Sequence, residues 1–178
     1  AEVAEQRDWP DDDLVVNCQG DAPLVPASSI DQVAGLLIEH ADAAMATLCT
    51  RITRAEDYRS PHVVKVVSDA AGRALYFSRA PIPAAGHTGA GPAGGDGGFP
   101  VSARHIGLYA YRIGALRALA VSPPCYLEQC ENLEQLRAMW MGLEIRIAQA
   151  IEPHGPDIDT PEDLQRALEF MRSTGMSA

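Results

Sequence analysis

The sequence predicts a single mixed α/β domain, in which helices pack against a sheet of parallel and antiparallel strands. The first third of the chain follows the order strand, loop, helix, strand, which is typical of α/β layered folds with right-handed crossovers. The middle third contains a predicted hairpin, which adds antiparallel strands. With 178 residues, 47% of them apolar, the chain has the length of one domain, 1–178, and enough hydrophobic material for a core.

The first elements follow from local patterns. Residues 14–18 form a short apolar run between acidic and turn-forming residues, which indicates a strand buried on both faces, as in a parallel sheet. Ser28 or Ser29 can cap a helix that runs to about Ala41, because its apolar positions repeat with helical spacing. A second strand is expected over residues 45–52.

The remaining elements alternate between strands and helices. A turn-forming sequence at 69–72 joins two β-rich runs, and the glycine-rich residues 84–100 contain too few apolar side chains for a core and predict a mobile loop. The other predicted elements are a strand at 105–112, helices at 113–120 and 126–142, a strand at 144–150 and a last helix that Thr160 caps.

Charge and composition limit the classes of partner. The chain has 14 basic and 24 acidic residues, a formal charge of −10, which disfavours nucleic acid and anionic membrane surfaces as partners. No run approaches the roughly 20 apolar residues of a membrane span, so we expect a cytoplasmic protein without membrane insertion. The four cysteines lack zinc-like spacing and are interpreted as reduced thiols.

Two acidic segments are candidates for a metal site. Asp21 follows the first predicted strand, where ligands of open α/β sheets bind, and Asp159 ends an Asp-Ile-Asp segment before the last helix. Two carboxylates from different strand ends are sufficient protein ligands for Mg²⁺. Alternatively, Asp21 stabilises a turn, and Asp157 and Asp159 only favour the helix N-terminus.

A third candidate is the predicted strand around His105. Strand alternation places His105, Gly107, Tyr109 and Tyr111 on one face, which suits a polyhydroxylated ligand, although such a histidine is more often structural. The literal GxGxxG at 89–94 is not a dinucleotide fingerprint, because no strand precedes it and no helix follows it.

Several ordered segments together resemble the 3-deoxy-manno-octulosonate (Kdo) cytidylyltransferase family, also called CMP-Kdo synthetases. The resemblance covers essentially the whole chain and lies in residues 15–23, 65–67, 74–79, 104–112, 133–137 and 159–164. It implies a three-layer α/β/α fold with a mixed, mainly parallel sheet, as in nucleotide-diphospho-sugar transferases. It also implies a homodimer that joins CTP to Kdo with Mg²⁺, giving CMP-Kdo and pyrophosphate for lipopolysaccharide synthesis.

The resemblance also implies roles for individual residues. Asp21 and Asp159 match the family's metal ligands, and Gln19 is a weaker candidate for nucleotide binding. The residues that match the family's sugar-binding positions are Arg79, His105, Tyr109, Glu134 and Gln135. Arg79 suits the Kdo carboxylate because a guanidinium offers two parallel donors.

The chain also departs from the family pattern. Relatives usually begin roughly 70 residues earlier, with the first β-α-β part and a loop that grips the triphosphate, so we expect the chain alone to bind CTP poorly and to turn over little. Ala22 stands in place of a glutamate, and Gln129 and Cys130 in place of histidine and isoleucine. Two alternatives remain: a nucleotide-sugar glycosyltransferase that uses the DxD segment 157–159, and a non-catalytic, dimerising sugar-binding module.

Overall fold

The computed structural model describes residues 1–20, 22–84, 102–156, 158 and 161–174. Within these ranges the strands are β1 (Leu14–Asn17), β2 (Met45–Arg51), β3 (Lys65–Ser68), β4 (Ala74–Ser78), β5 (Ala103–Arg112) and β6 (Ile145–Gln149). The helices are α1 (Glu2–Gln6), α2 (Ala27–Glu39), α3 (Ala55–Arg59), α4 (Ile113–Val121), α5 (Tyr126–Glu131), α6 (Gln135–Trp140) and α7 (Pro161–Thr174). None of the helices in these ranges is both long enough and apolar enough to cross a membrane.

The strands form one six-stranded mixed sheet in the order β4-β3-β5-β2-β6, and β1 also pairs with β5. The ten-residue β5 is the central strand and runs antiparallel to β1, β2 and β3. The hairpin of β3 and β4 is antiparallel, as the sequence predicts, and β2 with β6 is the parallel pair among the described strands.

Four of the six described strands run in the same direction, as expected for a mainly parallel sheet. β1, β2 and β3 all run antiparallel to β5, and β6 runs parallel to β2. β1, β2, β3 and β6 therefore run in the same direction. Most hydrogen-bonded neighbours are nevertheless antiparallel, because β5 lies between the strands of the common direction. The carboxyl ends of β1, β2 and β6 therefore lie at one edge of the sheet, where ligands of α/β folds bind.

Two apolar clusters cover the two faces of the sheet and make three layers. On one face α2 packs Val33 and Leu37 against Leu48 and Leu108. On the other face Leu136 of α6 packs with Met45 and other sheet residues. Alternation along β2 and β5 sends successive side chains to opposite clusters, which confirms the predicted α/β/α layering.

Several local predictions need correction. β1 is only half-buried and antiparallel to β5, because it pairs along the end of that strand and does not lie between parallel neighbours. Pro26, not a serine, occupies the N-cap of α2, and Ser29 is buried inside that helix. The predicted helix 126–142 is two helices, since Asn132 has a left-handed backbone (φ 52°) between α5 and α6.

Other predicted features were placed differently or lie outside the described ranges. Helical spacing predicts that Leu133, Leu136 and Trp140 share one apolar face, but Trp140 is 63% exposed whereas Leu136 is fully buried. The short helix α3 had no sequence signal that we identified. The glycine-rich segment, including the GxGxxG, together with Asp21, Asp157, Asp159 and the Thr160 cap, lies outside the described residues.

Candidate functional site

A cavity of about 480 Å³ opens beside β5 and is lined by the residues that the sequence nominated for sugar binding. It lies on the face of the sheet that carries α4 to α6, between β5, the end of β4 and the junction of α5 with α6. The nominated residues that line it are Gln19, Arg79, His105, Tyr109, Glu134 and Gln135. The fold thus gathers side chains that are up to 116 positions apart, from Gln19 to Gln135.

Arg79 lies directly after β4 at the rim of this cavity. Its Nε donates to the carbonyl of Glu131 at 2.9 Å, its Nη1 to that of Pro61 at 3.1 Å and its Nη2 to that of Asn132 at 3.4 Å. A guanidinium has five N–H donors, so one donor on each terminal nitrogen is left for a ligand. Three neutral carbonyls fix the position of the guanidinium without neutralising its charge.

Two side chains that we did not nominate from the sequence hold the backbone of this rim. The buried ammonium of Lys65 donates to the carbonyls of Ser60, Val63 and Arg79. The carboxylate of Glu131 accepts from the hydroxyl of Ser78 at 2.6 Å and from the Arg79 amide at 2.9 Å. Lys65 is the sole lysine in the sequence and lies in one of the segments that resemble the family, and these were the signals available for it.

An aromatic row lines the floor of the cavity. The ring of His105 meets Phe77 edge-on at 5.2 Å and lies 5.2 Å from the ring of Tyr109, which is 5.7 Å from Tyr111. The prediction that His105, Tyr109 and Tyr111 share one face of the strand is therefore confirmed. Burial lowers the pKa of His105 to about 3, with a smaller effect of the Arg104 charge, so the imidazole is neutral.

Tyr109 and Gln135 each present a polar atom without a partner. The hydroxyl of Tyr109 and the Nε2 of Gln135 are buried and have no hydrogen bond within the described part of the chain. Burial, followed by the neighbouring Tyr111 and Glu134, keeps the pKa of Tyr109 well above its usual value, so its hydroxyl remains a neutral donor. Buried polar atoms without partners are uncommon in folded proteins, and here both belong to residues that line the cavity.

The break between α5 and α6 brings Glu134 and Gln135 to the cavity. Asn132 ends α5 in the left-handed region and turns the chain, so that Leu133 is buried while Glu134 is exposed at the start of α6. Across the break, Arg137 and Glu128 form an ion pair of 2.7 Å whose side chains are 19% and 11% exposed. The pair joins α6 to α5 and fixes the angle of the turn.

A second, smaller cavity lies at the same edge of the sheet, on the other side of the first residues of β5. Gln19 and Ala22, which flank Asp21, line it together with His154 and Gly155, which follow β6. Leu24 and Gly155 are so close that a Cβ on Gly155 would lie 2.7 Å from the Leu24 Cβ. Leu24, which follows Asp21 in the sequence, and Gly155, which precedes Asp159, are therefore neighbours.

The atypical positions of the sequence lie away from the sugar cavity. Gln129 and Cys130 are exposed on α5 and Ala22 lines the smaller cavity, so none of the three lines the larger one. All four cysteines are free, as predicted. Within the described ranges, no group of three or more His, Cys, Asp or Glu residues is arranged to hold a metal ion.

Comparison with known proteins identifies close relatives. The family model described as "Cytidylyltransferase" matches residues 1–145. The chain is 49% identical over 173 residues to the 3-deoxy-manno-octulosonate cytidylyltransferase of Thioalkalivibrio sulfidiphilus, covering 97% of this chain and 68% of the relative. It is 48% identical over 181 residues to the protein of the same name from Alkalilimnicola ehrlichii, covering 100% of this chain and 69% of the relative. The chain thus spans about two thirds of the length of these curated relatives.

Two solved structures resemble the fold. The structure of a CMP:2-keto-3-deoxy-manno-octonic acid synthetase complexed with CTP superposes with a TM-score of 0.81 at 32% identity, over 97% of this chain and 66% of that one. A putative glucose-1-phosphate thymidylyltransferase from Bacillus anthracis in complex with a sucrose superposes with a TM-score of 0.54 at 13% identity, over 96% of this chain and 59% of that one. The second likeness shows a shared fold alone.

Proposed function

The chain belongs to the 3-deoxy-manno-octulosonate cytidylyltransferase family, and from this membership we propose that the larger cavity binds the Kdo substrate. The family's reaction joins CTP and Kdo to give CMP-Kdo and pyrophosphate, and this is the function assigned to the chain. The observation that carries the proposal is the convergence of Arg79, His105, Tyr109, Glu134 and Gln135 around one cavity, and two of these residues have buried polar atoms without partners among the described residues.

Arg79 is the proposed partner of the Kdo carboxylate. Its guanidinium is held by backbone carbonyls and retains a donor on each terminal nitrogen, which suits the two oxygens of a carboxylate. Because no described carboxylate forms an ion pair with it, the charge is available for an anionic ligand. This local charge supports binding of an acid sugar by a chain whose formal charge is −10.

The hydroxyl groups of Kdo are the proposed partners of the cavity floor. The Tyr109 hydroxyl and the Gln135 amide are buried donors without partners, and Glu134 offers an exposed carboxylate as acceptor. Such a mixture of donors and acceptors over aromatic rings matches a polyhydroxylated ring. Binding would also remove the cost of leaving two buried donors unpaired, about 1–3 kcal/mol for each.

Asp21 and Asp159 are the proposed ligands of Mg²⁺. The proposal is supported by the residues near them in the sequence, Gln19, Ala22, His154 and Gly155, which line one small cavity, and by the preference of Mg²⁺ for carboxylate oxygens. When bound, the ion neutralises negative charge that develops on the phosphates of the nucleotide. The protein's own part is to hold the sugar so that its anomeric hydroxyl faces the α-phosphate, which is catalysis by positioning.

Family membership favours this function over the two alternatives. A DxD glycosyltransferase would use segment 157–159, of which only Ile158 is described, and the matching family model and relatives are cytidylyltransferases. A non-catalytic sugar-binding module would keep the cavity, but the relatives are named for catalysis. Since the reaction consumes CTP, the cytoplasm is the proposed place of action.

A homodimer is a further part of the proposal. Among the described strands β4 is the last in the sheet order and its Leu75 is 52% exposed, which supports a role of the β3–β4 hairpin in dimerisation. The strand through Tyr109 is the other element proposed for this surface, and Tyr109 itself is only 6% exposed and lines the cavity. Light scattering after gel filtration measures the oligomeric state. We expect the wild type to be a dimer and Leu75→Asp to be a monomer.

The test of Kdo binding is calorimetric titration of the chain and of Arg79→Lys and Gln135→Leu. We expect the lysine to weaken Kdo binding by at least about tenfold, because it loses the fixed pair of donors, and the leucine to weaken it by about tenfold. Arg172→Lys is the matched control, since Arg172 is exposed on α7 far along the chain. Equal affinity of the chain and the Arg79 variant for Kdo would contradict the assignment.

The test of catalysis is pyrophosphate release from CTP and Kdo with Mg²⁺. It is measured on this chain and on the chain extended with the N-terminal segment of the Thioalkalivibrio sulfidiphilus relative, each with and without Asp21→Ala. We expect release in the extended protein and its loss on replacing Asp21. Release that does not depend on Asp21 would contradict the proposed metal ligand.

A further inference from the structure

The strand pair that supports His105 contains a bulge that gathers hydrogen-bond acceptors around one hydroxyl group. Thr47 of β2 lies opposite Tyr109, whereas its neighbour Leu48 lies opposite Ile106, so β5 has extra residues at this point. As a result the hydroxyl of Thr47 lies 3.0 Å from the carbonyl oxygen of Ile106 and 2.8 Å from that of Leu108. The same hydroxyl is 3.1 Å from the Nε2 atom of His105.

Counting hydrogens decides the direction of the bond to the histidine. A threonine hydroxyl has one hydrogen, and both carbonyl oxygens can only accept. If that hydrogen pointed to Nε2, neither of the two close oxygen–oxygen contacts would contain a hydrogen. The hydrogen of Thr47 therefore points to a carbonyl, and its oxygen faces Nε2 with a lone pair. Two acceptors cannot form a hydrogen bond, so the Nε2 atom of His105 must carry a hydrogen and donate it to Thr47.

The other ring nitrogen of His105 is then a bare acceptor. A neutral imidazole carries one hydrogen, and the buried position keeps this ring neutral, as the lowered pKa of His105 indicates. Within the described ranges Nδ1 has no hydrogen-bond partner, and it is not among the fully enclosed unpartnered atoms. His105 lines both cavities, and its ring packs beside Phe77 and Tyr109 on the face of the larger one, so a ligand in the larger cavity can approach this nitrogen.

We propose that Thr47 is a positioning residue that fixes His105 as the Nε2–H tautomer, so that Nδ1 accepts a hydrogen bond from a hydroxyl group of the bound sugar. The identity of the ligand rests on the proposed function, whereas the tautomer rests on the hydrogen-bond geometry at Thr47 and on the burial of the ring. Thr47 is fully buried and does not line either cavity described above, so it acts only through the histidine.

The tautomer has a consequence for specificity. A ligand atom next to Nδ1 must offer a hydrogen, so a hydroxyl fits there and an ether oxygen or a carboxylate is disfavoured. With the opposite tautomer Nδ1 would donate, and an ether oxygen, a carboxylate or a hydroxyl oxygen could accept its hydrogen. Near the ring the cavity thus presents an acceptor at His105, which suits a sugar hydroxyl as donor.

Nitrogen-15 NMR of the labelled chain without ligand tests the tautomer directly. Correlation of ring nitrogens with ring protons distinguishes Nε2–H, Nδ1–H and the charged ring, and His105→Gln assigns the signals. We expect Nε2–H near neutral pH in the wild type and in Thr47→Ser, which keeps the hydroxyl. In Thr47→Val, which has a similar shape but no hydroxyl, we expect a substantial fraction of Nδ1–H.

Calorimetric titration with Kdo is the second measurement. We expect Thr47→Val to bind Kdo about tenfold more weakly and Thr47→Ser to bind within about twofold of the wild type. A wild-type His105 with hydrogen on Nδ1, or a Thr47→Val with unchanged tautomer and affinity, would overturn the proposal. If Thr47→Val fails to fold, the wild-type and Thr47→Ser spectra still decide the tautomer.

These measurements separate the tautomer from the proposed function. Failure of the wild type to bind Kdo, combined with an Nε2–H ring, would contradict the assignment of the ligand and leave the role of Thr47 in setting the tautomer intact. Kdo binding combined with an Nδ1–H ring would support the assignment of the ligand and contradict the role of Thr47 in setting the tautomer. A substitution that only destabilised the fold would change affinity without changing the tautomer, and that pattern overturns the positioning role.

Discussion

Lys65 is fully buried, at 0% exposure, and its ammonium ties together three backbone carbonyls at the rim of the sugar cavity. Burial lowers its pKa, and the nearby Glu131 carboxylate opposes that shift. Buried lysines are uncommon, and they persist where polar partners replace the lost water. In this chain a residue with no catalytic signature in its sequence context holds the backbone of Arg79 in place.

Replacing Lys65 with methionine is expected to destabilise the protein by about 3 kcal/mol, because three carbonyls lose their donor. Weaker Kdo binding should accompany the change, since the carbonyl of Arg79 is one of the three. The measurement is urea denaturation, with Arg172→Met as the control, for which a change below about 0.5 kcal/mol is expected at an exposed position. A Lys65→Met protein as stable as the wild type would contradict this role.

His105 is expected to make stability depend on pH. Burial lowers its pKa to about 3 in the folded protein, below the ordinary value of 6.5, so the unfolded chain binds the proton more readily. The contribution is fully present above pH 6.5 and is lost progressively as the pH falls from 6.5 towards 3. Between pH 7 and pH 5 we expect His105 to account for a loss of about 2 kcal/mol.

The measurement for this pH dependence is the free energy of unfolding at both pH values for the wild type, His105→Gln and His62→Gln. Removing the buried histidine should remove that part of the loss. His62 is exposed at the edge of the same cavity and serves as the matched control. An identical pH dependence in the wild type and His105→Gln would show that His105 is not the cause.

At the scale of elements, the junction between α5 and α6 determines where the site residues lie. Helical periodicity over 126–142 indicates one helix, since apolar residues at 133 and 136 are spaced correctly for it. The structure instead ends α5 at Glu131, and a capping box of Cys125 and Glu128 opens that helix. Periodicity does not report a single left-handed residue, so the pattern could not reveal the break.

Asn132→Ala is expected to destabilise the protein by about 1 kcal/mol, because alanine pays the steric cost of the left-handed conformation. Asn132→Gly should stay close to the wild type, since glycine has no Cβ. Denaturation in urea measures both, and Kdo titration of the alanine variant should show a weaker affinity as Glu134 and Gln135 shift. If both substitutions had equal effects, backbone strain would not be the reason for asparagine.

At the scale of the whole molecule, contacts between distant segments assemble the edge of the sheet where both cavities lie. Gly155, which follows β6, leaves no room for a side chain beside Leu24, which follows β1, and a Cβ there would also lie 3.2 Å from the Phe170 ring of α7. The common direction of β1, β2 and β6 brings these segments to the same edge.

Adding a methyl group at Gly155 is expected to separate these segments. We expect Gly155→Ala to destabilise the protein by about 1–3 kcal/mol, because the new Cβ would overlap Leu24. Gly35→Ala in α2 is the matched control, since its Cβ would meet nothing within 4 Å and alanine favours the helix by up to about 1 kcal/mol. Thermal denaturation distinguishes the two, and a neutral Gly155→Ala would contradict the close contact.

Local patterns in the sequence were sufficient for most strands and helices. The hairpin, the helix α2 and the long strand β5 were predicted within a few residues, because apolar spacing and turn residues act over short distances. The family resemblance nominated Arg79, His105, Tyr109, Glu134 and Gln135, and these residues line one cavity, while their roles in binding remain predictions. Asp21 and Asp159 remain predictions as well, outside the described residues.

Contacts between segments far apart in the chain required the tertiary structure. Such contacts include the antiparallel pairing of β1 with β5 and the bonds from Lys65 to backbone carbonyls. They also include the carbonyls that hold Arg79 and the contact between the Thr47 hydroxyl and His105. Composition and periodicity report which face of an element is apolar, but not which distant backbone group a polar atom will meet. The partner of each polar atom depends on the register of β2 with β5 and on the packing of α5 and α6. Both are tertiary contacts between segments that are distant in the sequence.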